Sequence, residues 1–246
     1  METTNDPVAL VRATDRRVVP TEVNGLPARV VTAGRTYQAE IADVWDAVTS
    51  AERLPRWFAP VTGDLELGGR YQLEGNAGGE IQTCEPPRLF AVTWEFMGAT
   101  SWLAVELTEV TEGTRLELRH TQHTDNDFWT QFGPGATGVG WDLGLLGLGH
   151  HLAGAPDVDP AQAEAWSLSE EGRAFSTGCA DGWAEADVAA GADPEIARAA
   201  GAATGAFYRG EAAEPADPSE SAESADPSEP AEPAGPAEPV GPEDPA

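Results

Sequence analysis

Polar and apolar positions change their spacing several times along the chain, and each change marks an element. Residues 28–39 are extended and partly alternating, with Val31, Ala33 and Tyr37 available to one face, which predicts a first strand. Ile41, Val44, Trp45 and Val48 then recur at the spacing of an amphipathic helix. A second short helix is expected next, with Ser50 as its cap and Leu54, Trp57 and Phe58 as its buried side, although Pro55 must sit in its first turns. After Pro60 the period drops to two. Residues 70–74 alternate, 75–79 read as a turn, and 80–84 return as a strand that Pro86 and Pro87 end. Residues 89–96, with Phe90, Val92, Trp94 and Phe96, form a strong β segment, and residues 102–110 place Leu103, Val105 and Leu107 on one face. A turn at 111–113 leads to residues 114–120, where Leu116, Leu118 and His120 share one face and Arg115, Glu117 and Arg119 the other.

The period returns to helical over residues 137–153, where Trp141, Leu145, Leu148 and Leu152 form a stripe. Five glycines lie inside that stretch, each costing about 0.5 to 1 kcal/mol relative to alanine, so the helix needs tertiary packing to exist. One long helix laid across a curved antiparallel meander, with two short helices after the first strand, is an α+β helix-grip architecture that encloses space between helix and sheet. Downstream, Ser167 and Glu170 have capping-box spacing and open a helix with Phe175, Cys179, Trp183 and Ala186 on one stripe. Gly191 ends it, and Asp193 and Pro194 start another with Ile196, Ala200, Ala203 and Phe207 on one side. Such a hairpin has apolar edges to bury, and the core is the favoured surface, ahead of a second subunit.

Charge refines these boundaries. The sequence has 42 acidic residues against 14 basic ones, a formal net charge of -28. That balance argues against nucleic acid and anionic membranes as partners, since both demand a basic footprint. Residues 211–246 hold 11 of the acidic residues, nine prolines, no basic residue and no aromatic one, and read as a disordered acidic tail. The expected organisation is a flexible arm over 1–27, a core domain over 28–154, a helical hairpin extension over 155–210 and the tail over 211–246. No apolar run approaches the roughly 20 residues of a membrane helix. The first residues lack a basic start followed by an apolar core, so a cytoplasmic location is expected. Cys84 and Cys179 are far apart and form no metal-binding pair, and no metal or cofactor is expected.

Several ordered segments resemble one family. Residues 45–49, Leu54 and residues 56–60 look like the opening helices of the START-like SRPBCC superfamily, specifically the activator of Hsp90 ATPase homologues. Gly68 to Tyr71, residues 85–89 running into 92–95, residues 116–120, and Gly140 and Trp141 with Leu145 and Leu148 continue the resemblance in order across about 28–154. Residues 121–137 depart from it as a longer connection.

The resemblance implies a binding or regulatory module for a small hydrophobic or aromatic molecule held between sheet and helix. A monomer or homodimer is expected. Two other roles stay open: a co-chaperone-like protein acting on a partner ATPase, and an enzyme of the polyketide cyclase or aromatase kind with His120 as acid or base. The candidate ligand-binding residues are Trp57, Phe58, Tyr71, Trp94, Phe96, Leu103, Val105, Leu118, His120, Trp141 and Leu145, with Trp102 a further aromatic and Arg70 or His120 a polar anchor. They compete with an ordinary filled core. No G-x-S-x-G elbow, P-loop or dinucleotide fingerprint occurs, and no nucleophile stands out. The spacings of His120 with His123 and of His150 with His151 do not suit a metal site.

Overall fold

A computed structural model describes residues 7–211. The first six residues and residues 212–246, which include all of the expected acidic tail but Glu211, lie outside the described part. Helix α1 (Pro7–Arg12) precedes strands β1 (Asp15–Val23) and β2 (Leu26–Tyr37), and helix α2 (Ile41–Thr49) is followed by a single 3-10 turn at Leu54–Arg56. The meander then runs through β3 (Val61–Gly63), β4 (Arg70–Leu73), β5 (Gly78–Glu85), β6 (Leu89–Phe96), β7 (Ala99–Val110) and β8 (Gly113–His123). Helices α3 (Asp127–Phe132), α4 (Gly135–Leu152), α5 (Pro160–Ser167), α6 (Glu170–Ala189) and α7 (Pro194–Tyr208) complete the described chain.

All eight strands form one antiparallel sheet in the order β1-β2-β8-β7-β6-β5-β4-β3, so the first long strands close against the last one. Cross-strand register assembles the inner face in rows. Val18, Val31, His120, Leu103, Val92 and Ile81 stand side by side across six strands. The next row is Arg16, Ala33, Leu118, Val105, Phe90 and Cys84. Ile81 and Cys84 share a face although they are three residues apart, because β5 shifts register between Ile81 and Thr83, and the bulge re-aims the residue after it. Helix α4 lies over this face, anchored by the Tyr37 hydroxyl, which donates to the Leu145 carbonyl at 2.9 Å.

Residues 7–23 are not the flexible arm expected from their mixed composition. Nine register pairs join β1 to β2, Val18 is buried, and Arg16 is drawn inward to the Asp142 carboxylate on α4 at 2.8 Å. A charge on an edge strand reads as solvated until its partner, 126 residues later, is in view. The expected second helix is reduced to its 3-10 turn, with Pro55 in its first turn, and the Arg56 carbonyl accepts from the Val158 N–H at 2.8 Å instead of from a following helical turn. Helices α3 and α5 form where no helix was expected, each capped by a side chain: Asn126 accepts from the Trp129 N–H, and Asp159 from the Ala161 N–H.

The cap of α6 is Ser169, accepting from the Gly172 N–H at 3.1 Å, two residues beyond the expected Ser167. On α7 the buried stripe is Ala197, Ala200, Gly201 and Thr204, while Ile196 and Phe207 face out. The expected stripe was therefore rotated by one position, because α6 packs so closely that small residues are selected. A Cβ on Gly201 would stand 2.8 Å from that of Ala184. The hairpin of α6 and α7 packs on α4 and β1.

The same closeness explains the glycines of α4. A Cβ on Gly138 would stand 2.3 Å from the Trp183 ring, which is fully buried and pinned by its indole N–H to Asp142 at 2.8 Å. Helix propensity alone predicts that Gly138→Ala stabilises by roughly 1 kcal/mol. Here overpacking should reverse the sign and destabilise by about 1 to 3 kcal/mol, as measured by urea unfolding; a stabilised variant would contradict the packing described. Among the described residues no helix is long and apolar enough to cross a membrane.

Candidate functional site

Between the inner face of the sheet and α4 lies a partly open cavity of about 370 Å³, flanked by α2 and the segment after it. The pleat decides which residues reach it. Tyr71 and Leu73 of β4, Phe90, Val92 and Trp94 of β6, Leu103 and Val105 of β7, and Leu116 and Leu118 of β8 all point in. From the helical side come Trp45 and Val48 of α2, Trp57 and Phe58 beyond the 3-10 turn, and Trp141, Gly144, Leu145 and Leu148 of α4. The aromatic rings touch in sequence. Trp57 and Phe58 have centroids 5.4 Å apart, Phe58 stacks on Trp141 at 6.2 Å, and Trp141 meets Trp94 edge-on at 5.1 Å.

Electrostatically the cavity is neutral. None of the 24 residues that line it is charged, and none is a histidine. Its polar groups are largely spent on the protein itself. The Trp57 indole N–H donates to the Ala47 carbonyl at 2.9 Å, the Tyr71 hydroxyl to the Thr93 carbonyl at 2.8 Å, and the Thr49 hydroxyl to the Trp45 carbonyl at 2.8 Å. Burial raises the Tyr71 pKa, with the Glu95 charge adding to it, so the phenol stays protonated.

Nine of the eleven residues singled out from the sequence line this cavity: Trp57, Phe58, Tyr71, Trp94, Leu103, Val105, Leu118, Trp141 and Leu145. Phe96 does not, although it shares the parity of Trp94: it is the last residue of β6, paired with Ala99 beside the turn, and is 45% exposed. Trp102 has the parity opposite to Leu103 and packs on His123 instead, at 5.6 Å. Arg70 alternates with Tyr71, so it faces out and pairs with Glu95.

His120 is on the inner face as the alternation implied, yet it stands behind the wall. Trp141 Nε1 donates to His120 Nδ1 at 3.0 Å, and His120 Nε2 lies 2.8 Å from the Ser101 hydroxyl. An indole N–H can only donate, so Nδ1 holds the lone pair and Nε2 the proton, which goes to Ser101 Oγ. Ser101 in turn donates to the Trp94 carbonyl at 3.1 Å. Burial pushes the His120 pKa down to about 4, which keeps the ring neutral. Both ring nitrogens are therefore engaged within the protein, and His120 is not among the residues that line the cavity.

Residues that sequence reasoning missed include Trp45, Phe90 and Cys84. Trp45 was visible as part of the α2 stripe and Phe90 by parity, but Cys84 faces in only through the bulge in β5, which leaves no sequence signal. At the end of α4, His151 Nε2 accepts from Arg53 Nε at 3.1 Å.

Residues 38–151 match the family model described as activator of Hsp90 ATPase homolog 1-like protein. Among solved structures, the crystal structure of CalU16 from Micromonospora echinospora is 32% identical, with a TM-score of 0.59 over 71% of this chain and 98% of that one. The solution NMR structure of CalU16 from the same organism, also 32% identical, gives a TM-score of 0.61 over 72% of this chain and 97% of that one. The match covers more of the chain than residues 38–151, so the likeness takes in elements outside the family segment. No curated protein matches the chain.

Proposed function

Given that the chain belongs to the activator of Hsp90 ATPase homolog 1-like family of the START-like superfamily, we propose that it is a binding protein for an uncharged, largely aromatic small molecule held between sheet and α4. The observation that carries this reading is the chemistry of the cavity: seven aromatic residues among those that line it, and no charge. Ionised groups entering such a site would lose their hydration with nothing to replace it, whereas a neutral ring gains burial and ring contacts. The volume suits a small molecule of a few fused or linked rings.

The same geometry favours binding over catalysis. No carboxylate, histidine or charged group lines the cavity, the Tyr71 hydroxyl is held by the Thr93 carbonyl, and the polar chain behind Trp141 is internally satisfied. A matched pair of naphthol and naphthoate tests the reading by thermal denaturation of the full chain. Naphthol at about 100 times its Kd should stabilise by about 2.7 kcal/mol, a rise in Tm of roughly 5 °C or more, while naphthoate should produce little change. A flat response to both, or a preference for naphthoate, would count against the proposal.

A further inference from the structure

We infer that His120 and Ser101 are positioning residues that lock two cavity tryptophans as a single wall and so set the size of molecule the site accepts. This rests on the ligand-binding reading above. The hydrogen-bond chain begins on one lining residue and ends on another: the Trp141 indole gives its proton to His120, His120 gives one to Ser101, and Ser101 gives one to the backbone of Trp94. The three rings also touch, with the His120 centroid 6.0 Å from that of Trp94 and 5.9 Å from that of Trp141.

Packing alone does not account for a histidine here. Its neighbours across the sheet are Val18, Val31, Leu103, Val92 and Ile81, all apolar, and a leucine would complete that row without burying a polar ring. His120 is 4% exposed and has no charged group among its hydrogen-bond partners. What its polarity adds is a direction: one lone pair aimed at Trp141 and one proton aimed at Ser101. That tautomer holds the Trp141 ring at a single angle against Trp94, where an apolar neighbour would let it turn and deepen the cavity.

The test is the ratio of Kd values for two neutral fluorescent probes, compact phenylnaphthylamine and elongated diphenylhexatriene, measured on the full chain. His120→Leu should move the ratio toward diphenylhexatriene by about 3- to 10-fold, the equivalent of one net hydrogen bond. His120→Gln, whose amide can accept from the indole and donate to Ser101, should stay near the wild-type ratio. Ser101→Ala, one step removed from the cavity, should shift it in the same direction by less, and it supplies the answer if His120→Leu does not fold. A purely structural role would weaken both probes alike. An unchanged ratio in folded His120→Leu or in Ser101→Ala, or an equal shift in His120→Gln, overturns the inference while leaving the binding reading intact. If neither probe binds the wild type, both fall together.

Discussion

Replacing Asp142 with alanine should lower the free energy of unfolding by about 3 to 5 kcal/mol, as expected when one partner of a buried ion pair is removed. The carboxylate is fully buried and accepts three hydrogen bonds, from Arg16 Nη2 at 2.8 Å, Arg16 Nε at 3.1 Å and Trp183 Nε1 at 2.8 Å. Burial raises its pKa while the Arg16 charge opposes that rise. Alanine would strand the Arg16 guanidinium, whose side chain is 8% exposed, and orphan the Trp183 indole. Because Arg16 belongs to β1, Asp142 to α4 and Trp183 to α6, a single substitution loosens three elements at once. Urea unfolding measures the effect, and a loss below about 1 kcal/mol would contradict a buried pair. The double variant Arg16→Met with Asp142→Leu should recover much of the loss, since neither charge is then left uncompensated.

The second large effect is a pH dependence. The His120 pKa is about 4 in the folded chain against 6.5 for an unperturbed histidine. The unfolded chain therefore takes up this proton first on acidification. The stabilisation is complete above pH 6.5, is lost progressively as pH falls toward 4, and changes no further below that. Linkage gives about 3 kcal/mol for this one group across that window. Many carboxylates titrate nearby in pH, so the contribution is isolated by comparison with His120→Gln, which does not titrate. The difference in stability between wild type and variant should shift by about 3 kcal/mol in favour of the variant on going from neutral pH to about 4. Parallel profiles would mean that His120 is solvated or protonated, and would remove the tautomer on which the tryptophan wall depends.

These effects also mark where the sequence was legible. Strict alternation in β6, β7 and β8 announced which residues face the cavity, because a regular pleat converts parity into direction. It failed at the bulge that turns Cys84 inward and at the end of β6, where Phe96 stands exposed beside the turn. The glycines of α4 implied a helix held by tertiary packing, and they are the contact surface for Trp183 and for the Trp57 carbonyl, which would lie 2.9 Å from a Cβ on Gly147. Nothing local to α4 reveals which large residue will settle there. The role of Arg16 was hidden for the same reason, since its meaning comes from Asp142 and Cys179, both more than a hundred residues away. His120 was read on the correct face, because position follows from period, but its hydrogen bond from Trp141 was not legible, since only the folded chain brings that indole to its Nδ1.

Intermolecular nuclear Overhauser contacts between bound phenylnaphthylamine and the protein test most directly whether the cavity is the working site. The account predicts contacts from the probe to the methyl groups of Val105, Leu118 and Leu145 and to the ring protons of Trp141 and Phe58. Contacts confined to exposed apolar side chains such as Leu67, Met97 and Phe128, or none at all at saturating probe, would contradict it.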